Sequence, residues 1–544
     1  QFYNGLRRSN RQAHTTKQRL AAIDIIRPAA HEFLKTQRKY LLSQPFPLSK
    51  KATETLKLQQ NILNELAVAY KIVIQETVNR DSQLANKKLV TCVHHAMYYQ
   101  VEQYTTLAQV YSEPPQSFWH DLCQLYGIAE HFELTGLQIN NNIDPISPKS
   151  SPKSIFVHAC LLSLSNLHTY GHGEAEKISA YLSKASHLTK LSDSLPTNSE
   201  YTFFINLALR KPVRLIPDED IPMSSKNRYI DATELVNKLK EISKSQENDE
   251  ILPDNSAHVL SKSISNRLLK KIISKPLRCS KRAIPAKGRL HVVMGMRDAI
   301  EILQSGCTLP GKTEQEKPDL EFTPSNSNRV SRFFADDHRQ DEGSYSSSNA
   351  WDWVGHGNDI TKISARNANP EKQSSKNKAE LDPVVQTWDI SNASKGGYCL
   401  TSSNTSDYQS QVGDLILIRL EHMENDDWRL GVIRWMQSLS DQGVKMGIET
   451  MHGSVQVMEV VSAHLTHEKP IDFTHILQIT EQTSTSMNKT IITPPNAASN
   501  GDHLVLAHGG SQQNIAFQHM LEQTISFARF SYSEMPSMPG REEY

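Results

Sequence analysis

The chain has 544 residues, too many for one hydrophobic core, so roughly two to four domains are expected. Hydrophobic residues make up 38% and charged residues 22%; that supports folded domains but is low for a compact enzyme throughout, and sizeable disordered stretches are expected. Lys+Arg and Asp+Glu both number 59, which excludes broad electrostatic attraction to nucleic acid or anionic lipid and leaves any anion site to a local cluster.

The chain starts at Gln1, so truncation or processing stays open. Its first residues, through Arg7, Arg8 and Arg11, lack the apolar core of a signal peptide. Residues 1–275 read as mostly helical. Ile62, Leu66, Ala69, Tyr70 and Val73 share one helical face. A helix-like stretch from Leu84 to about Tyr111 is stopped by Pro114-Pro115, and another covers Phe118 to Phe132. Ser151-Pro152 reads as an N-cap followed by proline at the first helical position, with Gly171 as the C-terminal stop. Between them, Ile155 to Leu167 is the most apolar helix. Glu174 to Leu191 is a further helix, Tyr201 to Leu207 a strand, and Asp231 with Glu234 a capping pair for a helix over 232–243. Leu260, Ile264, Leu268 and Ile272 recur every four residues and mark the last helix of this half.

After Pro276 the character changes. Arg289 to Leu303 begins as a strand and ends as a helical turn. Residues 308–384 are rich in Ser, Asn, Lys, Glu and Asp, which is the composition of a disordered insertion. From Thr387 the pattern is β: Leu415–Ile418, Leu430–Trp435, Val444–Glu449 and Val455–Val461 are evenly spaced apolar runs, as in a small barrel or sandwich. Weaker strand candidates follow at Ile476–Ile479, Thr490–Ile492, Leu504–Leu506 and Ile525–Tyr532. No clean internal repeat is visible; Trp119, Leu122, Tyr126 and Ala129 echo a tetratricopeptide helix only faintly.

The six cysteines (Cys92, Cys123, Cys160, Cys279, Cys307 and Cys399) form no CxxC pair and read as free thiols. No run of about 18 apolar residues predicts a membrane span, and a cytoplasmic protein is expected. Enzyme constellations are missing: no GxSxG, HExxH, P-loop or strand-helix GxGxxG. His94-His95 are adjacent on a helix, point to different faces and make a poor metal pair. His172 reads as a loop residue, and His356 lies in the insertion.

Two clusters remain. Arg278-Cys279-Ser280-Lys281-Arg282 is an RxxxR with an inner lysine, followed by Lys287 and Arg289. Asn392-Ala393-Ser394-Lys395-Gly396-Gly397 is an N-x-S-x-x-G opening a strand through Leu400. Alone, the first reads as a solvated basic linker and the second as an ordinary strand-turn. In this order, with strands between and after them, they resemble the PilZ family. Gly431-Val432-Ile433-Arg434-Trp435, Gly443 and Gly447-Ile448-Glu449 look like that family's last strand pair. The resemblance covers 276–303 and 385–465. Cys160–Asn166 and Ile230–Leu239 look more loosely like the helical half of large proteobacterial proteins ending in such a domain. One departure is clear: Asn392 lies 110 positions after Arg282, where the family keeps the motifs a few tens of residues apart. The insertion accounts for most of this, and loop closure entropy grows only logarithmically.

The resemblance implies a fold of multidomain α plus β type: a mostly helical domain over 1–275, an arginine motif and first strand over 276–303, a disordered insertion over 304–384, a small antiparallel PilZ-like barrel over 385–465 and a β-rich extension over 466–544. It also implies a non-enzymatic effector that binds cyclic di-GMP, with no cofactor, no metal, no nucleic-acid polymer and a protein partner through the helical half. Arg278 and Arg282 would contact phosphate and guanine. Asn392, Ser394 and Gly397 would form the second wall, with Lys281 and Arg289 as auxiliary cations. Arginine suits this ligand because its planar fork binds phosphate or the guanine O6/N7 edge and its face stacks on a purine. The alternative is a PilZ-like interaction adaptor that no longer binds nucleotide.

Overall fold

The computed structural model describes residues 1–79, 86–141, 146–197, 199–216, 224–244, 260–273, 288–305, 383–394, 396–402, 409–421, 423, 427–439, 443–464, 473–482 and 487–535. The N-terminal half opens with α1 (Phe2–Arg11), α2 (Thr16–Leu42), α3 (Lys50–Asn79), α4 (Asn86–Ala108) and α5 (Phe118–His131). A small ladder, β1 (Ile139–Asn140) with β2 (Lys149–Ser150), precedes α6 (Pro152–Ser165) and α7 (Glu174–Ala185). Then come β3 (Lys190–Ser192), β4 (Thr202–Asn206), β5 (Arg214–Leu215) and β6 (Asn227–Asp231), which form a sheet ordered β3-β6-β4-β5, and finally α8 (Thr233–Lys244) and α9 (Lys262–Ile273).

Local chemistry explains the boundaries. Thr15 and Gln18 close a capping box on α2, and Ser151 and Ser154 close one on α6, with Pro152 in the first turn. Each satisfies backbone N–H groups that a helix start leaves unpaired. Helix α6 is buried on every side, from Ile155 and Phe156 to Leu161 and Leu162, which is why it reads as an unbroken apolar run. It ends earlier than the sequence implied: Asn166 takes the left-handed conformation (φ 50°) and stops the helix five residues before Gly171. Likewise α7 ends at Ala185, and Lys190–Ser192 turns into a strand because it pairs with β6. The residues that echoed a tetratricopeptide helix, Trp119 through Ala129, are the buried face of α5 in one core that reaches from Leu6 to Ile272.

The C-terminal half contains β7 (Arg289–Met294), α10 (Met296–Ser305), β8 (Gln386–Ser394), β9 (Gly397–Ser402), β10 (Leu415–Leu420), β11 (Arg429–Ser438) and β12 (Val444–Thr450). Strands β7–β12 close into an antiparallel barrel in the cyclic order β7-β8-β9-β12-β11-β10. Next come β13 (Ser454–His464), β14 (His475–Gln482), β15 (Met487–Thr493), β16 (His503–His508), β17 (Ser511–Gln523) and β18 (Ala528–Met535), which close a second barrel. Its cyclic order, β13-β14-β15-β18-β17-β16, is that of the first barrel strand for strand. The run Val455–Val461, expected in the first barrel, is therefore the first strand of the second, pairing with β14 and β16.

Strand β10 shows how the barrels meet. Ile416 and Ile418 fill the interior of the first barrel, while Leu415 and Leu417 point outward into a core shared with α10 and with Leu477, Ile479, Ile492 and Phe527 of the second. Both faces are buried, so the strand lacks the alternation of a half-exposed one. Polar contacts add to this seam: Arg434 binds Glu449 and Glu522, and the Ser526 hydroxyl donates to Asp414.

The helical half docks on the first barrel. Phe46 and Tyr111 pack edge-to-face, with ring centroids 4.9 Å apart, among the barrel's core residues. The Ser438 amide donates to the Tyr111 carbonyl and the Ser410 amide to that of Phe46, each at 2.8 Å. His172 is indeed in a loop, and it is held there: its amide donates to Gln411 Oε1 and its ring bonds the Leu42 carbonyl.

Candidate functional site

The N-x-S-x-x-G residues form the β8–β9 hairpin. Ser394 pairs with Gly397 and Asn392 with Cys399. The Ser394 hydroxyl donates to the Gly397 carbonyl at 3.2 Å. Gly397 lies so close to β12 that a Cβ there would sit 1.8 Å from the Ile448 carbonyl oxygen. The same logic holds at Gly447, where a Cβ would sit 1.9 Å from the Trp435 ring nitrogen. Both glycines are required by close packing.

Ser394, Gly397 and Tyr398 form one wall of a cleft of about 460 Å³. The rest of the lining comes from Leu303 of α10, from Asp427, Trp428 and Arg429 at the start of β11, and from Thr450 to Val455, the link between the barrels. Register explains the meeting: Gly397 lies opposite Glu449, and Thr450 opposite Gly431. Asn392, two residues back along β8 and half-buried, does not line the cleft. Arg278 and Arg282, with Lys281, fall outside the described residues. Arg289 stands between Asp389 and Glu421, 3.6 Å from each, and is also absent from the lining. Chain direction is informative here. Arg289, the first residue of β7, pairs with Asp389, and β8 continues from there to the hairpin. The chain thus enters the barrel at its hairpin end.

Asp427 and Arg429 were not singled out from the sequence. The available signal was a tryptophan flanked by opposite charges just before an apolar strand.

A second cluster lies in the helical half. Arg27 Nε donates to the Tyr99 hydroxyl at 3.0 Å, and Tyr99 in turn meets His31 Nε2 at 2.8 Å. Another Arg27 nitrogen meets His95 Nε2 at 2.8 Å; His95 Nδ1 meets His94 Nδ1 at 3.1 Å; His94 Nε2 meets Ser150 Oγ at 2.7 Å. Because arginine can only donate, His95 accepts at Nε2 and its Nδ1–H donates a hydrogen bond to His94 Nδ1, so His94 carries its proton on Nε2 and donates to Ser150 Oγ. Burial first, and Arg27 second, lower His31 to about 4 and His94 to about 3. These rings are neutral at pH 7 and poorly suited to acid–base work there. Among the described residues no group of three or more His, Cys, Asp or Glu could hold a metal. Cys92, Cys123, Cys160 and Cys399 are buried free thiols. Among the described residues no helix is long and apolar enough to cross a membrane.

Comparison with known proteins covers nearly the whole chain. Three family models match in succession: the N-terminal domain of the cyclic-di-GMP receptor FimW over residues 1–197, its middle PilZ domain over 213–456, and its C-terminal β-barrel domain over 461–535. The cyclic-di-GMP receptor FimW of Pseudomonas aeruginosa is 22% identical, across 98% of this chain and 86% of that protein. No solved structure matches significantly. All three parts of one architecture are thus matched in order, and the first barrel is a PilZ domain.

Proposed function

We propose that this protein is a receptor for cyclic di-GMP, with the nucleotide held at the hairpin end of the PilZ barrel. Arg278 and Arg282 would grip phosphate and guanine, and Ser394 and Gly397 would line the barrel side, with Asn392 reaching the ligand from two residues back along β8, outside the cleft lining. The observation that carries this reading is the cleft of about 460 Å³ on Ser394 and Gly397. It opens at the barrel end where β7 begins, directly after the arginine segment in sequence. The relative's description as a cyclic-di-GMP receptor supports the same ligand. Arg278 and Arg282 lie between α9 and β7, so a nucleotide bound to them and to the hairpin ties the last helix of the helical half to the barrel. Differential affinity for that tied arrangement is what would signal. The protein acts in the cytoplasm without turning the nucleotide over, and its helical half engages a protein partner.

Calorimetric titration of the full chain with cyclic di-GMP tests this, with the mixture assayed for linear product. Saturable binding without hydrolysis is expected. Absence of binding overturns the receptor reading in favour of an adaptor, and protein-dependent hydrolysis overturns the non-enzymatic one.

A further inference from the structure

Asp427 and Arg429, at the start of β11, line the same cleft as the hairpin residues Ser394 and Gly397. Their closest charged atoms are 3.5 Å apart, with side chains 38% and 57% exposed. A pair that open to solvent contributes little to folding. Arg429 is the only arginine or lysine among the described lining residues, and Asp427 the only carboxylate. Strand β11 fixes where they stand, because Arg429 is paired with Ile418 and Leu430 is buried in the seam between the barrels.

We propose that Asp427 reads guanine and Arg429 takes a phosphate, which makes this pair a specificity element of the nucleotide site; the inference rests on the receptor reading above. Guanine presents two neighbouring donors, N1–H and the N2 amino group, on its Watson–Crick edge. A carboxylate has two acceptor oxygens and no donor, so it matches that edge. Adenine offers a ring nitrogen acceptor beside its amino group there, and a carboxylate facing it leaves one oxygen opposed to a lone pair. The Arg429 fork, two residues along, can bind a phosphate oxygen pair. That cation also offsets the repulsion a lone carboxylate would exert on the ligand's phosphates. The hairpin wall supplies a hydroxyl and backbone groups, which cannot discriminate guanine from adenine as sharply.

The test is titration of the full-length wild type, Asp427→Asn and Arg429→Gln with cyclic di-GMP and with cyclic di-AMP, using circular dichroism as the folding control. Both side chains are more than a third exposed, and both substitutions nearly preserve shape. Asp427→Asn is expected to weaken cyclic di-GMP binding about tenfold and to narrow the gap to cyclic di-AMP, because an amide offers the acceptor–donor pair that suits adenine. Arg429→Gln should weaken both nucleotides about tenfold or more. If wild type binds cyclic di-GMP and both variants stay within twofold with unchanged discrimination, this inference is wrong and the receptor reading stands. If wild type binds neither nucleotide, the receptor reading fails first and the inference with it.

Discussion

The hydroxyl of Tyr111 accepts a hydrogen bond from the backbone amide of Val412 at 3.2 Å, joining the segment after α4 to the turn before β10. Tyr111 is also one of few non-glycine residues at positive φ (55°). An L-residue holds that conformation only where its surroundings over-determine it. Here the ring is buried against Phe46 and the carbonyl is bonded by Ser438. Tyr111→Phe is expected to leave the Val412 amide buried and unpaired, costing about 1–3 kcal/mol. Tyr111→Ala, which also empties a core position, should cost about 3–5 kcal/mol. Urea denaturation measures both; equal midpoints for wild type and Tyr111→Phe would show that the bond adds nothing.

Gly397→Ala is expected to destabilise the barrel whether or not nucleotide is present, since its Cβ collides with the Ile448 carbonyl. Ser394→Ala loses one neutral hydrogen bond within the hairpin, about 1 kcal/mol. Thermal melts of the two ligand-free variants should therefore separate clearly. A Gly397→Ala protein as stable as wild type would contradict the packing seen here.

The neutral histidines make the helical half acid-sensitive. His31 titrates near 4 and His94 near 3 in the folded protein, against about 6.5 unfolded. The unfolded chain binds more protons in between. Stability is thus fully present above about pH 6.5 and declines as pH falls toward the folded values. Between pH 7 and 5 each ring should cost about 2 kcal/mol. Urea midpoints across that range should drop, and His31→Gln should flatten the slope. A flat wild-type profile would mean these rings are not buried as neutral groups.

Arg278→Ala and Arg282→Ala should each weaken cyclic di-GMP binding about tenfold to a hundredfold, for charge-assisted hydrogen bonds worth roughly 1.5–3 kcal/mol. Lysine at either position should rescue only partly, since the planar fork and stacking face are lost. Wild-type affinity in a folded double-alanine variant would reduce the RxxxR to a basic linker and move the site to other residues.

What the sequence disclosed, and what it hid, follows from how each signal is made. The Ser151-Pro152 helix start is local capping chemistry, and β10 is a contiguous apolar run; both were readable. Strand β17 was not. Only Ile515, Ala516 and Phe517 are buried along it, and register shifts at Phe517/His519 and Met520/Glu522 break its alternation. The early end of α6 turns on one left-handed asparagine. Asp427 and Arg429 join Ser394 and Gly397 only through β-register, which no spacing rule gives. His94 and His95, expected to point to different faces of α4, instead bring their Nδ1 atoms within 3.1 Å of each other, and both are buried because that helix lies inside the bundle.

Both C-terminal sheets are closed, β7 pairing with β10 and β13 with β16. A closed sheet has no row of unpaired backbone groups along its rim. Among the described residues neither barrel has an end strand, so a partner peptide there reads chiefly side chains or loops. The four-stranded sheet of the helical half is different, because β3 and β5 lie at its open ends. Open edges for main-chain pairing thus lie, among the described residues, in the half that does not carry the cleft on Ser394 and Gly397.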